Sequence, residues 1–353
     1  MLAQILIFIV GLVALVAGAE LLVRGASRLA LSFGISPLVI GLTIVAFGTS
    51  APEMTVSVGA VLDGRPDLAF GNAIGSNIFN VLGILGLAAV IIPLSVHIQL
   101  IRQEAPILIG SAILLLVLSL DGSISGVDAL LLTGLLVGYT VFLIVQSRAE
   151  TLAPAEPVAG PSSRVVQVAF VVGGLILLVG GAQALVSAAV HFARTVGVSE
   201  VIIGLTIVSV GTSLPEVAAS VMAAIKGERD IAVGNVVGSC VFNILGVVGL
   251  GGLAAAFMPG AASLPVPPAV LNFDLWVMLA AFVACLPVFL SGREIARWEG
   301  AVFLGYYCAY TAYLVMQSQA HDALQTFSST MLSFVIPLTI VTLVVSLVRR
   351  TPH

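Results

Sequence analysis

Charge is the scarcest property of this 353-residue chain: Asp, Glu, Lys and Arg together make up 8% of it. A soluble globular domain carries about 25%, so a water-facing surface over the whole molecule is excluded. Cysteine is nearly absent. Cys240, Cys285 and Cys308 all fall in apolar stretches, which argues against a disulfide framework and for small buried hydrophobes. The four histidines, His97, His191, His321 and His353, lie in loops or at the ends of apolar runs. No histidine pairs with a cysteine in mid-span, so zinc and copper have little to bind. No nucleophile–base pair stands out among the apolar runs, and neither an enzyme nor a nucleic-acid binder is expected. Nothing basic precedes the first apolar run, which argues against a secretory signal.

What is present is hydrophobic length. Residues of hydrophobic type make up 59% of the chain. Runs long enough for the roughly 30 Å hydrocarbon core of a bilayer lie near 2–31, 36–62, 67–92, 105–120, 126–147, 165–194, 200–225, 230–257, 273–291 and 296–317. An eleventh lies at 331–348. The expected architecture is an all-α polytopic membrane protein. The one clear linker, 148–163, is rich in Pro, Ala and charge and separates five spans from the next five. The chain thus divides into a first half at 1–147, the linker, a second half at 164–317 and a C-terminal extension at 318–353.

The two halves repeat. Residues 41–62, GLTIVAFGTSAPEMTVSVGAVL, correspond to 204–225, GLTIVSVGTSLPEVAASVMAAI, and GNAIGSNIFNVLG at 71–83 corresponds to GNVVGSCVFNILG at 234–246. The offset is 163 throughout, and it extends to the first span of each half, GLVALVAGAELLV at 11–23 and GLILLVGGAQALV at 174–186. Five spans per half force the second copy to enter from the opposite face, so the repeats are inverted. With the N-terminus outside, eleven Lys and Arg residues fall on inner loops and ends and only Arg65 and Arg194 on outer ones. That bias orients the chain by the positive-inside rule, provided the eleventh run also spans and returns Arg349 and Arg350 to the cytoplasm. Trp276, Trp298 and the Tyr306–Tyr313 group read as interfacial anchors.

Each repeat carries one carboxylate in an otherwise apolar span, Glu53 and Glu216. An intramembrane acid is costly and marks a functional site by default. Pro52 and Pro215 each remove a backbone N–H and clash with the carbonyl four residues back. The helices are therefore expected to break around Gly48–Pro52 and Gly211–Pro215, freeing carbonyls beside the acids. Ala46, Thr49, Ser50, Glu53 and Ser57 share one helical stripe, and Ser209, Thr212, Ser213, Glu216 and Ser220 form its twin. On the next span Asn72, Ser76 and Asn80 share a face, as do Asn235, Ser239 and Asn243. Gly71, Gly75, Gly234 and Gly238 read as packing residues, and Asp67 and Asp230 as helix N-caps. The donor set is all oxygen, which suits a hard cation and, in its flexible and mixed character, calcium over magnesium. Two carboxylates match the charge of one calcium or about two sodium ions.

GTSAPE with GNAIGSNIFN, and GTSLPE with GNVVGSCVFN, resemble the paired repeats of the sodium/calcium exchanger branch of the calcium/cation antiporters. The resemblance covers the ten spans from 1 to about 317 and implies ten core helices in two inverted five-helix halves, with four ion positions in a diamond. It implies that Ca2+ uses Glu53, Glu216, Thr49 and Thr212. It further implies an inner Na+ position of Ala46 carbonyl, Ser50, Ser76 and Glu53, and an outer one of Ser209 carbonyl, Thr212, Ser213, Ser239 and Glu216. Asn80 and Asn243 would border the central position, and the long first and sixth helices would slide to alternate access. The implied substrates are Ca2+ and Na+, with no further cofactor, in a prokaryotic plasma membrane. Two features depart from the family pattern: asparagine at both 80 and 243, where one aspartate is common, and the eleventh span. The residues alone leave two rivals, a Ca2+/H+ antiporter using the same two glutamates and a calcium channel.

Overall fold

A computed structural model describes residues 2–149, 163–195, 209–258 and 263–349. The linker 148–163 and the start of the 200–225 span lie largely outside the described residues. Helix α1 (Leu2–Phe33) is followed by a span broken into α2 (Pro37–Thr49) and α3 (Ala51–Leu62), bent by 43°. Then come α4 (Pro66–Ile91), α5 (Leu100–Leu118) and α6 (Gly126–Ala149). The second half gives α7 (Arg164–Thr195), α8 (Ser209–Thr212), α9 (Leu214–Ile225), α10 (Arg229–Phe257), α11 (Val270–Leu290) and α12 (Arg297–Ser318). Helix α13 (Leu324–Val345) follows as the eleventh span. Among the described residues, eight helices are long and apolar enough to cross a membrane, and α2 with α3 makes a ninth. Helix α12 is equally long at 22 residues, but Arg297, Glu299 and four tyrosines lower its hydropathy.

The burial of each helix says where it stands. The apolar windows of α4 and α10 are 72% buried, that of α6 is 22% and that of α13 is 0%. Helices α4 and α10 therefore form the centre, and α13 sits outside it. Close approach at the centre depends on glycine. A Cβ at Gly234 would lie 2.8 Å from the Leu38 carbonyl, and one at Gly238 2.6 Å from that of Leu42. The partners corresponding to these for Gly71 and Gly75, residues 201–205, lie outside the described residues. Two short antiparallel pairings tie the halves together at their loops, Leu94–Ser95 with Glu294–Ile295 and Ser123–Ser125 with Ser263–Pro265. Their existence is consistent with the two-fold relation of the repeats, since each joins a loop of one half to a loop of the other.

Three expectations need correction here. Asp67 and Asp230 do not cap: they sit within the first turns of α4 and α10, after Arg65 and Glu228 at the cap positions, with no side-chain cap bond. Their charge still suits the positive end of the helix. Cys308 is exposed, unlike Cys240 and Cys285, because it faces away from the bundle on α12. Tyr306 and Tyr310 are not simple interfacial anchors. Tyr306 donates to Thr339 on α13 at 2.7 Å, and Tyr310 to Asp274 on α11 at 2.8 Å, because a half-buried phenol hydroxyl in an apolar setting takes an internal acceptor.

Candidate cation-binding site

Local sequence explains the break. Ser50 leaves helical geometry at φ −82° and ψ 1°, and Ser213 does so at φ −90° and ψ 7°. Helices resume at Ala51 and Leu214, with the proline in the second position of each, where a missing N–H costs nothing. The interruption is thus a single serine in each half, inside the expected windows Gly48–Pro52 and Gly211–Pro215. Glu53 and Glu216 follow in the first turns of α3 and α9, at the positive ends of those helices. Both acids are 1% exposed.

The breaks of the two halves cross, and each serine reaches the acid of the other half. Ser50 donates to Glu216 Oε1 at 3.2 Å, and Ser213 donates to Glu53 Oε1 at 3.1 Å. Ser213 also lies 3.1 Å from the Ser76 hydroxyl. The threonines reach across as well: Thr49 donates to Asn235 Oδ1 at 3.1 Å and Thr212 to Asn72 Oδ1 at 3.2 Å. Asn72 in turn donates to the Glu53 carbonyl at 3.2 Å and to Ser57 at 2.9 Å. Asn235 does the same toward the Glu216 carbonyl at 3.5 Å and Ser220 at 2.8 Å. Asn72 and Asn235 thus act as braces between helices, holding the start of α3 and of α9.

The Ser76 hydroxyl meets Ser213, which bonds Glu53, and the Ser239 hydroxyl stands 3.5 Å from that of Thr49. Helical spacing fixes which residues share a stripe, but it carries no information about which stripe of the opposite half they meet. The Ala46 carbonyl is present at the break, where it accepts from the Thr49 hydroxyl at 3.3 Å and the Ser50 N–H at 3.0 Å. Ser209 opens α8, and its side chain lies outside the described set.

After these bonds, four buried oxygens at the crossing have no hydrogen-bond partner: Glu53 Oε2, Glu216 Oε2, Asn80 Oδ1 and Asn243 Oδ1. Buried polar atoms are normally paired, and oxygen-only sets of carboxylate and amide suit hard cations. Asn80 and Asn243 each lie in a widened, π-helical turn, Phe79–Leu85 and Phe242–Val248, a feature frequent at functional sites. Asn77, which sequence reading passed over, is fully buried here and accepts from Asn243 Nδ2 at 3.1 Å. Its position in the repeat is taken by Cys240, so the duplication gave no signal for it.

An inverted-repeat helical bundle with paired broken helices and acids at its centre defines a membrane transporter, and not an enzyme. The chain matches the model of the family described as "Sodium/calcium exchanger protein" over residues 3–145 and 166–316, and it belongs to that family. It is 36% identical to inner membrane protein YrbG of Escherichia coli over 323 residues, covering 89% of this chain and 97% of the relative. It is 33% identical to sodium/calcium exchanger MaX1 of Methanosarcina acetivorans over 350 residues, covering 88% of this chain and 97% of the relative. Among solved structures, one of the sodium-calcium exchanger NCX_Mj superposes with a TM-score of 0.77 at 31% identity, covering 88% of this chain and 98% of the other.

Proposed function

We propose that this chain exchanges Ca2+ for Na+ by alternating access, with the ions bound between the crossed breaks of the two halves. The observation that carries the reading is the pair of buried carboxylate oxygens, Glu53 Oε2 and Glu216 Oε2, left without protein partners in duplicated positions. Two acids held this way match a divalent ion, and the surrounding hydroxyls and amides supply neutral oxygens for a monovalent one. The ligands are Glu53, Glu216, Thr49, Thr212, Ser50, Ser213, Ser76, Ser239, Asn80 and Asn243, with the Ala46 and Ser209 carbonyls at the outer ends of the set. The crossed hydrogen bonds favour one Na+ position around Ser76, Ser213 and Glu53 and a second around Ser50, Thr49 and Glu216, with Ser239 beside Thr49. Membership of the exchanger family and the likeness to MaX1 and NCX_Mj support sodium as the counter-ion.

The repeats 1–147 and 164–317 form the transport unit, joined by a cytoplasmic linker, in a plasma (inner) membrane with the N-terminus outside. The deciding experiment is calcium flux in proteoliposomes under separately imposed sodium and proton gradients, with the potential clamped. An outward sodium gradient is expected to drive calcium inward. Flux that follows pH and ignores sodium reassigns the two glutamates to proton exchange.

A further inference from the structure

We infer that Asn77 and Met278 form a positioning relay that fixes the side-chain amide of Asn243 with its oxygen turned toward the cation site. The inference rests on the exchanger reading of that site and adds residues that no motif singled out. It begins at the sulfur. A thioether accepts hydrogen bonds and donates none. The contact of 3.3 Å between Asn77 and Met278 Sδ therefore presents the Asn77 amide nitrogen to the sulfur. The Asn77 oxygen then faces the other way, where it stands 3.1 Å from the Asn243 amide nitrogen. With its nitrogen so engaged, Asn243 has only one way to turn its oxygen, and Asn243 Oδ1 is left buried and without a partner. Asn77 and Met278 are both 0% exposed and Asn243 1%, so no water from outside competes for these bonds.

The polarity of the relay matters because an amide has two ends of opposite use. Oxygen toward a cation is attractive, and the NH2 end toward it is repulsive. The relay decides between them before any ion arrives, which is preorganisation of the kind that raises affinity by lowering the cost of ordering. The other half lacks the device. Cys240 occupies the position equivalent to Asn77, and its thiol contacts the Asn77 main-chain oxygen at 3.8 Å. The same thiol also lies against the Asn80 amide, a weaker contact than the one Asn77 makes with Asn243, and Asn80 Oδ1 is left without a hydrogen bond. One site amide is held by an amide–thioether chain and the other is faced by a thiol, so the two halves are not interchangeable at the centre. A carboxylate at 243 would instead draw the Asn77 NH2 toward itself, at the cost of the contact with Met278.

The test is a set of double-mutant cycles on the full chain in proteoliposomes, reading apparent Ca2+ and Na+ affinity and maximal rate separately. Met278→Leu is close in volume and removes only the acceptor, a change that cores tolerate well. It is expected to weaken apparent cation affinity about threefold, and Asn77→Leu about tenfold, the loss of one to two oriented polar contacts. Maximal rate and thermal stability of Met278→Leu should stay near those of the parent. In an Asn243→Leu background both effects should vanish, because the relay acts only through that amide. Unchanged affinity in Met278→Leu, or losses that simply add to that of Asn243→Leu, overturns the relay. Glu216→Gln is the control for the parent reading. Transport that survives it removes the exchanger site, whereas its loss alongside a normal Met278→Leu removes only the relay.

Discussion

Ser213 carries two contacts where its counterpart Ser50 carries one. Its hydroxyl bonds Glu53 Oε1 and meets Ser76, both at 3.1 Å, whereas Ser50 bonds Glu216 Oε1 alone at 3.2 Å. A hydrogen bond to a charged group is worth about 1.5–3 kcal/mol, or roughly tenfold or more in affinity. Ser213→Ala is therefore expected to weaken sodium activation about tenfold, with a smaller loss in Ser50→Ala, as read from sodium titration of calcium flux. The same geometry predicts that Ser213→Ala and Ser76→Ala are non-additive, since their side chains touch, while Ser50→Ala and Ser76→Ala add. A coupled Ser50–Ser76 pair restores the grouping that the resemblance implied. For the acids the expectation is larger. Glu53→Gln or Glu216→Gln halves the negative charge offered to a divalent ion in a water-poor setting, where Coulomb effects are large. Calcium uptake should fall to background with the protein still inserted and eluting as a single species. Near-normal uptake in either variant removes the site.

These residues differ in how legible they are from sequence. The acids, the serines and threonines around them and both asparagine rows are all duplicated at one offset, and duplication of an intramembrane acid has few explanations other than function. Asn77 is not duplicated, and Met278 is one apolar residue among many, so neither stands out before the contact between them is seen. Which serine meets which acid was also hidden, because it depends on how the two halves cross.

At the scale of elements, the broken spans were readable from Pro52 and Pro215, and the structure narrows each break to one serine two residues before the proline. The seam between α1 and α7 was less visible. Gly11, Gly18 and Gly25 recur every seven residues on α1; Gly11 meets Gly181 and Gly18 meets Gly174 on α7, while Gly25 meets the main chain of Gln167 and Val171. A Cβ at Gly18 would lie 2.7 Å from the Leu178 amide nitrogen, and one at Gly181 2.6 Å from that of Leu15. Backbone atoms cannot swing aside as a side-chain tip can, so the two long helices pack as one flat-faced pair. Overpacking of a filled interface costs about 1–3 kcal/mol, and here the obstacle is main chain on both sides. Gly18→Val is expected to lower the detergent melting temperature and the maximal transport rate together, with ion affinity little changed. Gly305→Val, where no neighbour lies within 4 Å, is the control. Equal melting temperatures for the two variants remove the seam from the account of stability. A second pairing escaped the repeat pattern because its offset is not 163. Tyr139 on α6 donates to Glu104 on α5 at 2.8 Å, and Tyr310 on α12 donates to Asp274 on α11 at the same distance. Each pins the last two helices of its half.

For the whole molecule, the two halves are alike in sequence but unlike in exposure, and the difference gives the site a direction. Asn72 is 9% exposed while Asn235 is 0%, and Thr212 is half-buried while Thr49 is 0% exposed. The Asn72–Thr212 brace is thus the less covered of the two. At the opposite end, Glu20 on α1 pairs with Arg24 and, at 3.0 Å, with Lys226 at the end of α9, and Ser27 donates to Glu228 at 2.6 Å. These ties hold α1 over the turn between α9 and α10. The equivalent turn in the first half has Asp63 paired with its own neighbour Arg65 at 3.0 Å instead. Exposed ion pairs are each worth at most about 1 kcal/mol, so they bias the position of α1 without fixing it. With the orientation that the basic residues favour, the tied end is cytoplasmic and the less covered brace faces outward. In a background with Cys240, Cys285 and Cys308 replaced, Thr212→Cys is expected to react with an impermeant thiol reagent added outside intact cells, and Thr49→Cys to resist it. Asp63→Cys, on the loop between α3 and α4, reports orientation independently and should react from outside in the same assay. Reaction at Thr49→Cys with Asp63→Cys still labelled inverts the access and leaves the topology standing. Silence at Asp63→Cys turns the whole molecule over, and the basic-residue argument falls with it.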